Sequence, residues 1–193
     1  MTSDEFEILL EKASTGDVDT IRAVAFLCYK MAEGGIENND ISKANEFMET
    51  GDAWKRAADE FEGNLSDDFY RKLCELTRSV FPRQMDKMDK IEETVIQLEN
   101  DLFTGAFSES VVRSDLEARA TKDRLSKYGS SGRQTDELGQ KKRVYNENFQ
   151  EYIDLINTVL GLLDSSHPYV SRLKRCENQV NKLRGIVSGF REI

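Results

Sequence analysis

The chain has 193 residues, 38% of them hydrophobic and 33% charged, with a formal net charge of −9. That length supports one domain or two small ones with a real core, and no run approaches the ~18 consecutive apolar residues of a membrane span. The acidic balance disfavours nucleic acid and anionic membrane as partners of whichever surface carries it.

Thr2 and Glu5 have capping-box spacing and predict a first helix whose apolar face is Phe6, Leu9, Leu10 and Ala13, broken at Gly16. Asp17 is placed to cap a second helix with Ile21, Val24, Ala25 and Cys28 inward, stopping at Gly34-Gly35. After a polar loop from Glu37 to Asp40, a third helix is expected from about Ser42 to Phe61, packing through Ala44, Phe47, Met48, Trp54, Ala57 and Phe61. Ser66-Asp67-Asp68 opens a fourth, with Phe69, Leu73, Leu76 and Val80 inside and acids where the helix dipole favours them. Phe81-Pro82 marks a boundary or a sharp kink, because a proline disfavours helical backbone in the residue before it.

Beyond it a heptad stripe recurs three times: Met88, Ile91, Val95, Leu98, Leu102; then Tyr145, Phe149, Tyr152, Ile156, Val159, Leu163; then Leu173, Cys176, Val180, Leu183, Val187, Phe190. Steps of three and four keep each set on one helix face, which must bury against neighbouring helices. Between the first two, a helix from Ser108 or Ser110 to about Tyr128 has only a thin face (Val111, Val112, Leu116, Ala120, Leu125) and is expected to be partly exposed. Gly129-Ser130-Ser131-Gly132 reads as a flexible loop near 129–134. Asp164 to Pro168 reads as a turn, with Ser166 or His167 capping the last helix and Pro168 in its first turn. No segment has the period-two alternation of a strand. The expected fold is all-α: acidic helical hairpins over 1–81, then an antiparallel helical bundle with heptad-patterned, coiled-coil-like helices over 82–193.

Within the first part, Gly16-Asp17, Ala23 to Tyr29, Gly34-Gly35-Ile36, Asp40, Lys43-Ala44 and Trp54 to Ala58 form a pattern of small residues around a glycine turn. Residues 16–60 resemble a Sel1-like or tetratricopeptide-type helical repeat. The resemblance implies a close helix pair and a protein-binding surface without catalysis, as in adaptors and co-chaperones.

The charge is unevenly spread. Residues 1–80 hold 18 acidic and 9 basic side chains, and residues 81–193 hold 18 of each. The leading expectation is therefore a non-enzymatic interaction module, adaptor, chaperone-like or regulatory, whose acidic surface meets a protein partner with a basic one. Glu46, Glu49, Asp52 and Asp59 around Trp54 are the predicted contact. An alternative is a nucleic-acid-associated accessory protein using the basic set Arg119, Lys122, Arg124, Lys127, Arg133, Lys141, Lys142 and Arg143, which straddles the predicted loop. A second copy of the chain is a third kind of partner, since apolar-striped helices also build assemblies.

Nothing in the residues names a reaction, cofactor or metal. His167 is the only histidine, and Cys28, Cys74 and Cys176 lack zinc-site spacing and read as reduced core thiols. Asp164, Ser165, Ser166 and His167 are triad residue types, but neighbours in one turn do not converge on a reacting atom. The Gly129 to Arg133 loop lacks the phosphate-binding pattern and the strand before it. The acidic opening from Met1 to Glu7 lacks a charged-then-apolar signal pattern, so a reducing, cytoplasmic setting is expected.

Overall fold

A computed structural model of the chain describes residues 3–61, 65–81, 86–128 and 136–191. Among these residues the fold is all-α, without strands. The helices are α1 (Ser3–Thr15), α2 (Val18–Glu37), α3 (Ile41–Glu60), α4 (Asp67–Val80), α5 (Asp86–Glu99) extended by a π turn (Asn100–Thr104), α6 (Glu109–Tyr128), α7 (Glu137–Leu160) and α8 (Pro168–Gly189). The predicted Thr2 cap, the 129–134 loop and Pro82 lie outside the described residues, as does the side chain of Met88. The chain divides into two units: Met1–Glu93 with Leu160–Ser171, and Thr94–Val159 with Arg172–Ile193. The predicted boundary at 81/82 thus lies within the span of the first unit.

In the first unit the caps at Asp17 and Ser66 follow the sequence signals, and Asp40, expected only as the end of a loop, caps α3 as well. The Asp17 carboxylate accepts from the Thr20 N–H, Asp40 from the Lys43 N–H and the Ser66 hydroxyl oxygen from the Phe69 N–H, at 3.2–3.3 Å. The predicted stop at Gly34-Gly35 is corrected: α2 runs on to Glu37, and the chain reverses over Asn38, Asn39 and Asp40. Asn39 takes φ 57°, a left-handed conformation that asparagine tolerates. The N–H groups of Asn38, Asn39 and Asp40 return to the carbonyls of Gly34, Ile36 and Gly35, which would otherwise be orphaned at the helix end. Gly35 serves packing instead, since a Cβ on it would sit 3.2 Å from the backbone nitrogen of Ala44. Gly51 does the same on α3, where a Cβ would meet the Tyr29 ring at 2.9 Å. These approaches draw α2 and α3 together as an antiparallel hairpin.

The core of this unit holds Leu10, Ile21, Val24, Cys28, Trp54, Phe61, Tyr70, Leu73 and Cys74. Phe81 closes it, with its ring centroid 4.7 Å from that of Phe6 and 5.8 Å from that of Phe47. On α4 the buried stripe is offset from the predicted one. Tyr70, Leu73, Cys74 and Thr77 go inward, while Phe69, Leu76 and Val80 are half-buried. Met48, predicted as a packing residue, is exposed, because the inward positions are Ala44, Phe47, Gly51 and Trp54.

The Asp164–Pro168 turn belongs to the same unit. The Asp164 N–H donates to the Thr15 carbonyl at 2.8 Å, and Gly16, at φ 107°, lies between Phe61 and the Asp164 side chain. His167 is buried and caps α8: its Nδ1 accepts from the Tyr169 N–H at 3.1 Å, so Nε2 carries the proton and faces the Ser14 carbonyl at 3.1 Å. The Tyr70 hydroxyl donates to the same carbonyl at 2.6 Å.

In the second unit, Leu98 and Leu102 of the first stripe, Phe149, Ile156 and Val159 of the second, and Leu173, Cys176, Val180, Leu183 and Val187 of the third are buried, as their spacing predicts. The chain does not reverse between α5 and α6. Glu99 pairs with Arg172, Gln179 donates to the Leu102 carbonyl, and Glu109 pairs with Lys182, so α5, the π turn and α6 advance alongside α8 in one sense. The same path runs opposite to α7, through Asp101–Tyr152, Asp115–Tyr145 and Asp123–Leu138. Lys142 meets the Phe190 carbonyl and Gln150 meets Arg184, which makes α7 and α8 antiparallel. The bundle therefore has three arms, the first bent at Gly105, whose N–H returns to the Asn100 carbonyl.

All three cysteines are buried free thiols, and burial pushes Cys28 and Cys74 up to about 12. No helix among the described residues is long and apolar enough to cross a membrane.

Candidate protein-interaction surface

Trp54, placed by sequence at the centre of the contact, belongs to the core. It is 1% exposed, and its indole Nε1–H donates to the Thr77 hydroxyl at 2.9 Å. It occupies an inward register of α3 shared with Phe47 and Ala58, and its role is to hold α4 against α3. The acids assigned with it are different: Glu46, Glu49, Asp52 and Asp59 are all exposed. Asp52 and Asp59, seven residues apart, lie one above the other, while Glu49 and Glu46 step around the helix toward α4. Glu49 and Asp52 edge a shallow groove between α3 and α4 whose apolar lining is Phe69, Leu73 and Leu76. Among the described residues none of the four acids has a cationic partner; Asp52 accepts from the Tyr29 hydroxyl at 2.7 Å.

That hydrogen bond joins α2 to α3 on the outer side of the hairpin, and it identifies a feature that sequence reasoning missed. On α2, Phe26, Tyr29, Glu33 and Ile36 step by three and four along one stripe; on α3, Ile41, Met48, Asp52 and Asp59 step by seven and four. Phe26 and Ile36 are 59% and 58% exposed, and Ile41 and Met48 about half exposed. Lone exposed apolar residues are ordinary, but four on one side of a two-helix hairpin make a patch. The signal was present in the sequence as apolar residues falling out of phase with the core stripe.

The basic set has another fate. Arg119 bonds Asp115 and Glu137, Lys122 pairs with Glu137, Lys141 with Asp115 and Arg143 with Asp136. The Arg119 guanidinium holds the Glu137 carboxyl below its ordinary range. Lys142 donates to the Phe190 carbonyl. Lys127 is engaged as well, and Arg133 lies outside the described residues. Arg124 is exposed beside a groove between α6 and α8. Arg119, Lys122 and Lys141 thus stitch α6 to α7. Asp123 completes the seam: 1% exposed, it accepts the N–H groups of Glu137 and Leu138 at 3.0 and 2.9 Å and so caps α7 from α6.

No three histidine, cysteine or acidic side chains converge as metal ligands among the described residues. Comparison of the chain with protein-family models, with curated proteins and with solved structures gives no match.

Proposed function

We propose that this chain is a non-enzymatic protein–protein interaction module, an adaptor or regulatory subunit, and that the outer side of its α2–α3 hairpin engages a basic, amphipathic segment of a protein partner. The observation that carries this reading is the coincidence of exposed Phe26, Ile36, Ile41 and Met48 with Asp52 and Asp59, acids that have no cationic partner among the described residues, on one side of one hairpin. Apolar side chains supply contact area, while uncompensated carboxylates select and steer a cationic partner. In the basic set of residues 119–143, Arg119, Lys122, Lys141 and Arg143 are paired with acids of the same chain, which favours a protein partner over nucleic acid.

The test is affinity purification of the full chain from its own cells, with nuclease-treated controls, beside a variant carrying E46K, E49K, D52K and D59K and a second carrying F26S and M48S. A stoichiometric protein partner that survives nuclease and is lost from both variants supports the reading. Partners retained by both variants, or released by nuclease, sink it. Far-ultraviolet circular dichroism of each variant checks that the helices remain.

A further inference from the structure

The groove between α6 and α8 lies within the second unit and has a character opposite to that of the α2–α3 face. It is an open trough of about 890 Å³. Its floor is apolar, made by Ala120 with half-buried Ile186 and Phe190. Its rim carries Arg113, Arg124, Lys182 and Arg191 against a single acid, Glu117.

The cations are not equivalent. Glu109 pairs with both Arg113 and Lys182, so that end of the groove is compensated. At the other end, Arg124 and Arg191 have no ion pair among the described residues. Positions near the last turns of two helices satisfy part of their charge through the helix dipoles, but leave guanidinium donors unengaged.

The α8 wall adds Gly185 and Gly189. A Cβ at either would meet nothing within 4 Å, unlike Gly35 and Gly51, whose space is filled by the neighbouring helix. Glycine inside a helix costs about 0.5–1 kcal/mol relative to alanine, and no contact of α8 within its unit requires it at Gly185; Gly189 closes the helix. The glycines leave the α8 backbone open to close approach from outside.

We infer that this groove docks an acidic amphipathic helix of a partner protein, about three turns long, seated with its apolar stripe on Ile186 and Phe190 and its carboxylates toward Arg124 and Arg191. The length follows from the groove itself: its α6 wall runs from Arg113 to Arg124, ~18 Å at 1.5 Å per residue, a little over three turns. A helix is the shape that fits, because the trough is open along its length between two helices running in one sense, the geometry of helix-in-groove recognition. The sign follows from the uncompensated end. This site is independent of the α2–α3 face, so the protein would present one surface for a basic partner and another for an acidic one.

The probe is a fluorescein-labelled synthetic amphipathic helix of about three turns, with leucines at i, i+3, i+4 and i+7 and glutamates flanking them, titrated with the full chain and read by fluorescence anisotropy. Controls are a scramble of the same composition and a peptide with lysines in place of the glutamates. The expected result is binding of the glutamate helix alone, weakened by about tenfold or more when R124E and R191E remove the charge match. Filling the groove with G185L and G189L should abolish binding while leaving the melting temperature equal or higher, since each new side chain enters open space and replaces a poor helix former. No binding of the glutamate helix, equal binding of the scramble, or indifference to both pairs of substitutions would overturn the proposal. Light scattering that shows self-association relieved by G185L and G189L would assign the groove to a second copy instead. Binding of phosphatidylserine vesicles, lost on R124E and R191E in a protein that ignores the peptide, would assign it to a membrane surface.

Discussion

The Trp54 indole N–H donates to the Thr77 hydroxyl at 2.9 Å, and that hydroxyl donates in turn to the Leu73 carbonyl at 2.7 Å, with both side chains buried. Thr77 is thus acceptor and donor at once, and the largest side chain of the hairpin is satisfied by the helix that packs on it. T77V keeps the shape and strands the indole N–H, which should cost about 1–3 kcal/mol. W54F removes the donor and leaves unfilled volume. In urea denaturation the double variant should lose less than the sum of the two single losses, because the second change finds the hydrogen bond already gone. Strict additivity would contradict the coupling.

His167 sets a pH dependence. Burial drives it down to about 4 from an ordinary 6.5, against the opposing pull of the Ser14 carbonyl and the Asp164 carboxylate. Tyr70, Tyr169 and Phe61 surround the ring and offer no compensating charge. The unfolded chain therefore binds a proton below about 6.5 that the folded chain refuses until about 4. Stability should be insensitive to this group above pH 6.5 and fall between 6.5 and 4, by about 2–3 kcal/mol at pH 4.5. H167N keeps a capping acceptor without the titration. Its urea midpoint, though lower at pH 7, should change less over the same interval, and parallel curves for the two proteins would rule the histidine out.

Asp123 caps α7 from the neighbouring helix with both of its oxygens engaged. D123A should leave the Glu137 and Leu138 N–H groups without acceptors and destabilise the fold by about 2–3 kcal/mol, more than loss of an ordinary exposed cap. Hydrogen exchange should locate the damage, with the Leu138 amide losing protection before the amides near Phe149. Unchanged protection at Leu138 would mean that water replaces the carboxylate at no cost.

The glycines predict opposite signs. G35A pushes a methyl against the Ala44 backbone, which has no side-chain freedom to yield, so the hairpin must open; a loss of about 1–3 kcal/mol is expected. G185A meets open space and should stabilise by about 0.5–1 kcal/mol. Thermal melts of the two variants side by side test this, and a stabilising G35A would show that the α2–α3 approach is looser than its geometry.

Glu99 and Arg172 meet through two parallel hydrogen bonds, Nε to Oε1 at 3.1 Å and Nη2 to Oε2 at 2.6 Å, and the guanidinium holds the Glu99 carboxyl below its ordinary range. Lysine cannot reproduce that fork, so R172K should cost about 1 kcal/mol despite keeping the charge. Because the folded value of Glu99 is depressed, its contribution is present above the ordinary carboxylate range and lost as pH falls through the folded value. A nuclear magnetic resonance titration of the Glu99 side-chain carboxyl should show the midpoint move upward in R172K.

What the sequence determined by itself was local: helix existence, the caps at Asp17 and Ser66, the buried thiols, and the three apolar stripes, because capping and side-chain periodicity act within a few residues of chain. It also carried the uneven charge, with Glu46, Glu49, Asp52 and Asp59 correctly placed on an exposed face. Tertiary structure alone decided which glycines turn the chain and which admit a neighbour. Gly34-Gly35 has the local form of a helix stop, yet α2 continues through it because Ala44 packs on Gly35. Helical spacing put Trp54 among the packing residues and the charge argument put it in the contact; packing decided for the core, where buried Thr77 satisfies its polar edge. It also carried α6 onward past Gly105 rather than back, through ion pairs between residues some seventy positions apart in sequence. Whether a cation is free or spent depends on which distant acid the fold brings to it: Arg119 and Arg124 differ little in sequence context, yet one is bound by Asp115 and Glu137 and the other faces an open groove.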